Sequence, residues 1–313
     1  MILFDRSKLK VYSSLLFALF ILCTKATASP IAKTWLRATA KIENEEGKTG
    51  TGFFVFREVK KNSGKIFLVT NKHVVNEDRQ KRLAAQRLKI FVNLNGNSGT
   101  VEAADFEIPL IDDKGKPLWR EHEDIHVDVL AVDIAHFVNR TPKLHKQLIR
   151  YTDFITPEIM EKQDVTIADE VLIVGYPAGL THAKTNFPLV RQGLIATRIG
   201  ERITLEVNDS TGKKTTVEIP GFLVDATVIG GSSGSPIILK PVRGFKITDG
   251  TNEATILPEK NPYLLGIISA TRRGVFPVGR TKDGKDIVFP ILEGLGIVYD
   301  ADTIKETIEL FFK

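Results

Sequence analysis

Apolar residues in this chain gather in short β-branched and aromatic runs of four to ten residues, punctuated by Gly, Asn, Asp and Pro. The runs fall at 35–42, 52–56, 66–70, 88–92, 127–134, 171–176, 189–198, 221–227, 236–239 and 264–270. Where one face of a strand is wet the pattern alternates with a period of two, as in VDVLAVDI at 127–134. Many short strands with turn signals between them predict an all-β sandwich or barrel. Helical periodicity is confined to 77–88, to 143–151 and to 303–312, where Ile304, Ile308, Leu310 and Phe311 share a stripe. Residues 240–262 form a polar insertion with Gly and Pro, longer than a hairpin needs and of the length at which loops acquire a role of their own.

One apolar stretch does not fit this scheme. Arg6, Lys8 and Lys10 precede the 13-residue run VYSSLLFALFILC at 11–23, and Ala26-Thr27-Ala28 follows as a small-residue cleavage site. That order predicts a secretory signal over 1–28, cut before Ser29. The run is shorter than the roughly 20 residues that span a bilayer, so no stable membrane insertion is expected after cleavage. Cys23 is the only cysteine and leaves with the signal, so no disulfide holds the mature chain. An exported, disulfide-free protein fits a bacterial periplasm or the medium. The formal charge of +5 falls to +2 without residues 1–28, and no Lys/Arg patch interleaved with aromatics points to nucleic acid.

The candidate chemistry lies in DATVIGGSSGSP at 225–236. A glycine two residues before Ser233 lets the backbone turn so that the amides of Gly231 and Ser233 converge on one developing negative charge, an oxyanion hole. Gly230, Ser232 and Gly234 also spell the nucleophile elbow of α/β-hydrolases, which places its histidine after the serine. All six histidines here precede residue 230, which excludes that reading. Upstream, VTNKHVV at 69–75 offers His73 as a base, and the strand at 127–134 brings Asp128 at its entrance. A second enzymatic reading is HEDIH at 122–126, a literal H-E-x-x-H, which in zinc peptidases sits on a helix. Here it runs directly into an alternating strand pattern, and Glu121, Glu123 and Asp124 read as a solvated loop.

GTGFFV, TNKHVV, DVLAV and GSSGSP, in this order, resemble the four blocks of trypsin-like, chymotrypsin-fold serine peptidases, most nearly the bacterial HtrA-like kind. Spacings of 55 residues from His73 to Asp128 and 105 from Asp128 to Ser233 agree, as do VGYPAG at 174–179 and LLGIISA at 264–270. The resemblance covers about residues 34–300. It implies two six-stranded antiparallel Greek-key β-barrels with a C-terminal helix. The barrels would be 29–150, carrying His73 and Asp128, and 151–300, carrying Ser233, with the helix at 301–313 and no room for a PDZ module.

It further implies a serine endopeptidase acting on protein or peptide substrates through a His73-Asp128-Ser233 triad, with no cofactor and no metal. The serine hydroxyl needs an adjacent base to become a nucleophile. Thr227, six residues before the serine, would floor the substrate pocket; being uncharged, it implies small or medium apolar side chains. Ile268, Ser269 and Ala270 would line the bound peptide. The non-enzymatic alternative is the same fold as an inactive binding domain.

Overall fold

The computed structural model describes residues 31–61, 63–76, 85–208, 213–242, 245–247, 254–256, 260–280 and 286–313. The signal at 1–28, and 77–84 of the predicted helix at 77–88, lie outside the described residues. Two antiparallel sheets carry most of the chain, followed by a short helix, which is the chymotrypsin-like double β-barrel.

The first sheet contains β1 (Thr39–Glu43), β2 (Thr49–Lys60), β3 (Ser63–Thr70), β4 (Arg87–Asn95), β5 (Val101–Pro109), β6 (Trp119–Glu121), β7 (Leu130–Asp133) and β8 (Ile149–Arg150), in the order β5-β4-β1-β2-β3-β7-β6. β8 is a two-residue parallel addition to β2. The bridge Ile111↔Pro117 and the bond from Leu118 N–H to Leu110 C=O, 2.9 Å, bring the end of β5 onto the start of β6. Ile42, Phe54, Leu68, Leu88, Ile90, Ile108, Leu110, Leu130 and Val132 fill this barrel.

The second sheet contains β9 (Glu170–Gly175), β10 (Leu189–Ile195), β11 (Arg202–Asn208), β12 (Lys214–Asp225), β13 (Pro236–Leu239), β16 (Leu264–Arg280) and β17 (Asp286–Asp300). Its order is β10-β9-β13-β16-β17-β12-β11, and a further pairing of β10 with β12 closes six strands into a ring, leaving β11 outside it. The 240–262 insertion carries a separate hairpin of β14 (Phe245–Ile247) and β15 (Ala254–Ile256). β2 explains its own unbroken apolar run: Phe54 faces into the first barrel while Phe53 and Val55 join the second core cluster with Ile237, Ile267 and Val298. A strand buried on both faces has no reason to alternate.

Two local expectations are corrected. Residues 35–38 are not strand: α1 (Ile31–Ala38) precedes β1, and Trp35 and Ala38, three residues apart, are both buried against the strands. The segment 143–151 is not a helix, because the backbone of Leu144 and His145 pairs with the end of β4 and residues 149–150 become β8. Short helices α2 (Lys72–Val75), α3 (Ala135–Arg140) and α4 (Pro157–Lys162) punctuate the loops.

The C-terminal helix α5 (Ala301–Glu309) forms where the stripe predicted it, burying Ala301, Ile304 and Ile308. Glu309 receives Arg57 Nε and Nη2 at 3.0 and 2.9 Å and Tyr151 OH at 3.1 Å, and Phe311 tilts onto Phe67 at 4.8 Å. The guanidinium holds the Glu309 carboxyl below its ordinary range, and burial pushes the Tyr151 phenol well above its own. α5 is thereby fastened to β2 and β3, the strands that lead to His73.

Candidate active site

β3 ends at Thr70, and from the N-cap Asn71 the chain turns once through α2 before leaving the barrel. Val74 and Val75 bury the apolar side of that turn and leave His73 half-buried at the cleft. Asp128 stands two residues before β7, 2% exposed. Its carboxylate is fully engaged: Oδ1 accepts the His73 backbone N–H at 3.0 Å, and Oδ2 lies 2.5 Å from His73 Nδ1 and accepts Ser269 Oγ–H at 2.6 Å. Asn71 Nδ2 donates to the Asp128 backbone carbonyl at 2.6 Å, fixing the main chain beneath the carboxylate. A buried carboxylate is tolerated only when satisfied in this way.

The serine loop enters from the other barrel. Ser233 is half-buried and its Oγ donates to the Ser269 carbonyl at 2.7 Å, so Ser269 touches Asp128 with its side chain and Ser233 with its main chain. Ser232 is 2% exposed, with a buried hydroxyl that has no partner among the described residues, and so faces away from the cleft.

Gly231 and Gly234 both have φ of +87°, the left-handed region that only glycine enters without strain. A Cβ on Gly231 would stand 2.3 Å from the Tyr176 carbonyl, and one on Gly234 would stand 1.9 Å from that of Thr51. The Gly230 carbonyl accepts the Ala178 N–H at 2.6 Å. In a trans peptide the N–H points opposite to the C=O, so this bond turns the Gly231 N–H away from the loop body. Among the described residues, neither the Gly231 nor the Ser233 amide donates to a protein acceptor. Two amides of one tight turn are thus left for an anion.

Thr51, wholly buried in β2, ties the loop to the first barrel. Its N–H donates to the Ser233 carbonyl at 2.9 Å, and its hydroxyl donates to the Gly231 carbonyl at 2.9 Å while accepting the Tyr176 N–H at 3.1 Å.

The residues expected to line a substrate are placed as follows. Thr227 is exposed, and its carbonyl accepts Nη2 of Arg191 from β10. The Ile268 backbone is occupied by the serine loop, its N–H donating to Ser235 and its C=O accepting from Gly234, at 3.0 and 2.8 Å. Ala270 pairs with Ile297 of β17. HEDIH lies in a loop, not a helix: His122 Nε2 is 2.8 Å from Glu306, and Nδ1 accepts the Asp124 N–H at 3.0 Å. Among the described residues, no three His, Cys, Asp or Glu side chains converge so as to hold a metal ion. Asn71, Thr51, Ala178 and Arg191 are contributors that sequence reasoning did not single out; each acts across a long stretch of chain, and only Thr51, set between the glycines of GTG, carries a local signal.

Comparison with known proteins gives one assignment. The family described as "Trypsin-like peptidase domain" matches residues 50–241, from the glycine before Thr51 to just beyond β13. A search of curated proteins finds no match. Among solved structures, the chain is similar to an inactive-form serine-to-alanine mutant of Rv3671c from M. tuberculosis H37Rv (17% identity, 91% of this chain and 94% of that one, TM-score 0.42). It is also similar to the active form of the Rv3671c protease from M. tuberculosis (16%, 89% and 82%, 0.44) and to Deg5 (18%, 77% and 82%, 0.38). The assignment rests on the match over 50–241. That match spans more than half the chain and reaches into both barrels, and the chain therefore belongs to the trypsin-like peptidase family, as a serine endopeptidase.

Proposed function

We propose that His73, Asp128 and Ser233 are the triad of this endopeptidase and that Gly231 and Ser233 supply its oxyanion hole. The observation that carries the reading is the Asp128 carboxylate, buried and shared between His73 Nδ1 and Ser269 Oγ, with the Ser233 hydroxyl held on the carbonyl of the same Ser269. On substrate binding, Ser233 Oγ turns from that carbonyl toward the cleft and attacks the scissile carbonyl carbon, while His73 takes the hydroxyl proton. Asp128 fixes the tautomer by holding Nδ1–H and stabilises the imidazolium. The two amides take the negative charge of the tetrahedral oxygen, a contribution of roughly 100-fold to 1,000-fold per donor. His73 then protonates the leaving amine, the acyl-enzyme forms, and water attacks by the same route in reverse roles.

The site sits on a chain divided, in this proposal, into a first barrel at 29–150, a second at 151–300 and a terminal helix, exported after cleavage of residues 1–28. Among the described residues no helix is long and apolar enough to cross a membrane. Thr227 alone would favour small or apolar side chains, a reading that the neighbouring guanidinium modifies below. The test is labelling with a fluorophosphonate probe, with and without chelator, of the wild type, Ser233→Ala and His73→Ala. Chelator-insensitive labelling absent from both variants is the expected result. A folded wild type that resists the probe, or a chelator that abolishes labelling, refutes the assignment.

A further inference from the structure

Along β10, Gly193 and Ile195 face into the second barrel: Ile195 is 1% exposed, and a Cβ on Gly193 would stand 2.8 Å from that of Ala226. Arg191 is the next residue in this inward row, toward the barrel's mouth, where an aliphatic side chain would extend the core. A guanidinium drawn out of water needs acceptors. Nη2 has the Thr227 carbonyl, but Nη1 is buried and has no hydrogen-bond partner among the described residues. No carboxylate among those residues pairs with Arg191 either. Asp225 is exposed without an ion pair to it, and Glu170, opposite Leu194 on the adjacent strand β9, is committed to Lys240 at 2.7 Å and to Gln192.

The position of Thr227 gives this cation a use. The 227–233 segment and residues 268–269 lie side by side, joined where Ser233 Oγ meets the Ser269 carbonyl. Further in, Val228 Cγ2 and Ile268 Cδ1 pack closely over Gly296, where a Cβ would lie 2.9 and 2.8 Å from them. The resemblance to trypsin-like peptidases puts Thr227 at the floor of the pocket for the substrate side chain on the acyl side of the cut bond, which would bring that side chain to the guanidinium bound to the Thr227 carbonyl.

We infer that Arg191 makes this endopeptidase select substrates with a carboxylate side chain, glutamate or aspartate, immediately before the cut bond; the inference rests on Ser233 being the nucleophile. A carboxylate matches the planar fork of a guanidinium with two parallel N–H···O bonds and supplies the acceptor that Nη1 lacks. The uncharged amide of the same shape offers one acceptor and no charge, and apolar side chains leave the guanidinium unsatisfied, which is the situation in which discrimination is strong.

The experiment is a fluorogenic peptide series identical except at that position, with Glu, Gln, Asp, Asn, Ala and Leu, run on the full chain beside fluorophosphonate labelling. Wild type should cleave the Glu peptide about 10-fold to 100-fold faster in kcat/KM than the Gln peptide, the range expected of a charge-assisted hydrogen bond. Arg191→Gln should bring that ratio toward one, and Arg191→Lys, which keeps the charge but not the fork, should leave it intermediate; circular dichroism confirms that each is folded. A labelled wild type with a flat Glu/Gln ratio, or with a preference for Ala or Leu, overturns the role of Arg191 and leaves the nucleophile standing. A ratio unchanged in a folded Arg191→Gln overturns it equally. A folded wild type that neither labels nor cleaves removes both readings together.

Discussion

Replacing Asp300 with asparagine should make the protein more stable at pH 8 and change little near pH 4. Asp300 closes β17 and stands at the N-cap of α5, yet its side chain makes no capping bond, and Oδ1 is buried with no partner among the described residues. Burial, and then the nearby Asp302 and Glu306 carboxylates, raise its pKa from an ordinary 3.8 to about 7. Between those two values the folded chain holds a proton that the unfolded chain has released, so stability falls as pH rises through the window and the full penalty is present above about 7. Each unit of difference corresponds to about 1.4 kcal/mol, which sets the penalty at no more than about 4 kcal/mol. Asparagine keeps the shape and removes the charge. Urea unfolding of both proteins at pH 5, 6, 7 and 8 should give curves that diverge with pH, with the variant ahead by at least about 2 kcal/mol at pH 8. Curves that stay parallel across the series would show that the carboxylate is solvated in the folded chain and would refute the reasoning. The end of β17 also reaches the site, because Tyr299 OH donates to the His126 carbonyl at 2.8 Å, two residues before Asp128.

Other expectations concern the site itself. Ser269→Ala removes a hydroxyl donor to a buried carboxylate, a bond of about 1.5–3 kcal/mol, and kcat/KM on any cleaved peptide should fall about 10-fold to 100-fold while the Ser269 carbonyl still holds Ser233. An unchanged kcat/KM would mean that His73 alone is enough to set Asp128. Gly231→Ala forces a Cβ to within 2.3 Å of the Tyr176 carbonyl at a φ of +87°. The loop must move, and turnover should drop by at least about 100-fold, the value of one oxyanion donor; stopped-assay kinetics within a few-fold of wild type would exclude the Gly231 amide from the hole.

How much of this was legible in the residues follows from how local each signal is. His73, Asp128 and Ser233 each sit in a compact block, with glycines that are needed for the backbone and valines that are needed for the core; each block is weak alone, and their order and spacing together carry the reading. Asn71 and Ala178 lie inside the TNKHVV and VGYPAG blocks and Arg191 in no block, but all three act on partners 36 to 57 residues away, which a local pattern does not identify. Strand β5 is invisible for a different reason: of VEAADFEIP only Ile108 is buried, so the strand shows almost no apolar periodicity and is defined by its pairing with β4. The 31–38 segment misleads in the opposite sense, because TWLRATAKI reads as one β-rich run although Trp35 and Ala38 are spaced for a helix. HEDIH is the clearest case of a spelling without its context, since the loop gives both ring nitrogens of His122 other work.

Thr51 gives the architecture a consequence for its assembly. With its main chain on Ser233 and its hydroxyl between Gly231 and Tyr176, one residue of the first barrel completes the turn that belongs to the second. Neither half can hold a finished anion site alone, however well it folds. A nascent chain therefore stays harmless until both halves have met, so that docking acts as the molecule's own safety catch, and separately expressed halves should regain turnover only on recombination.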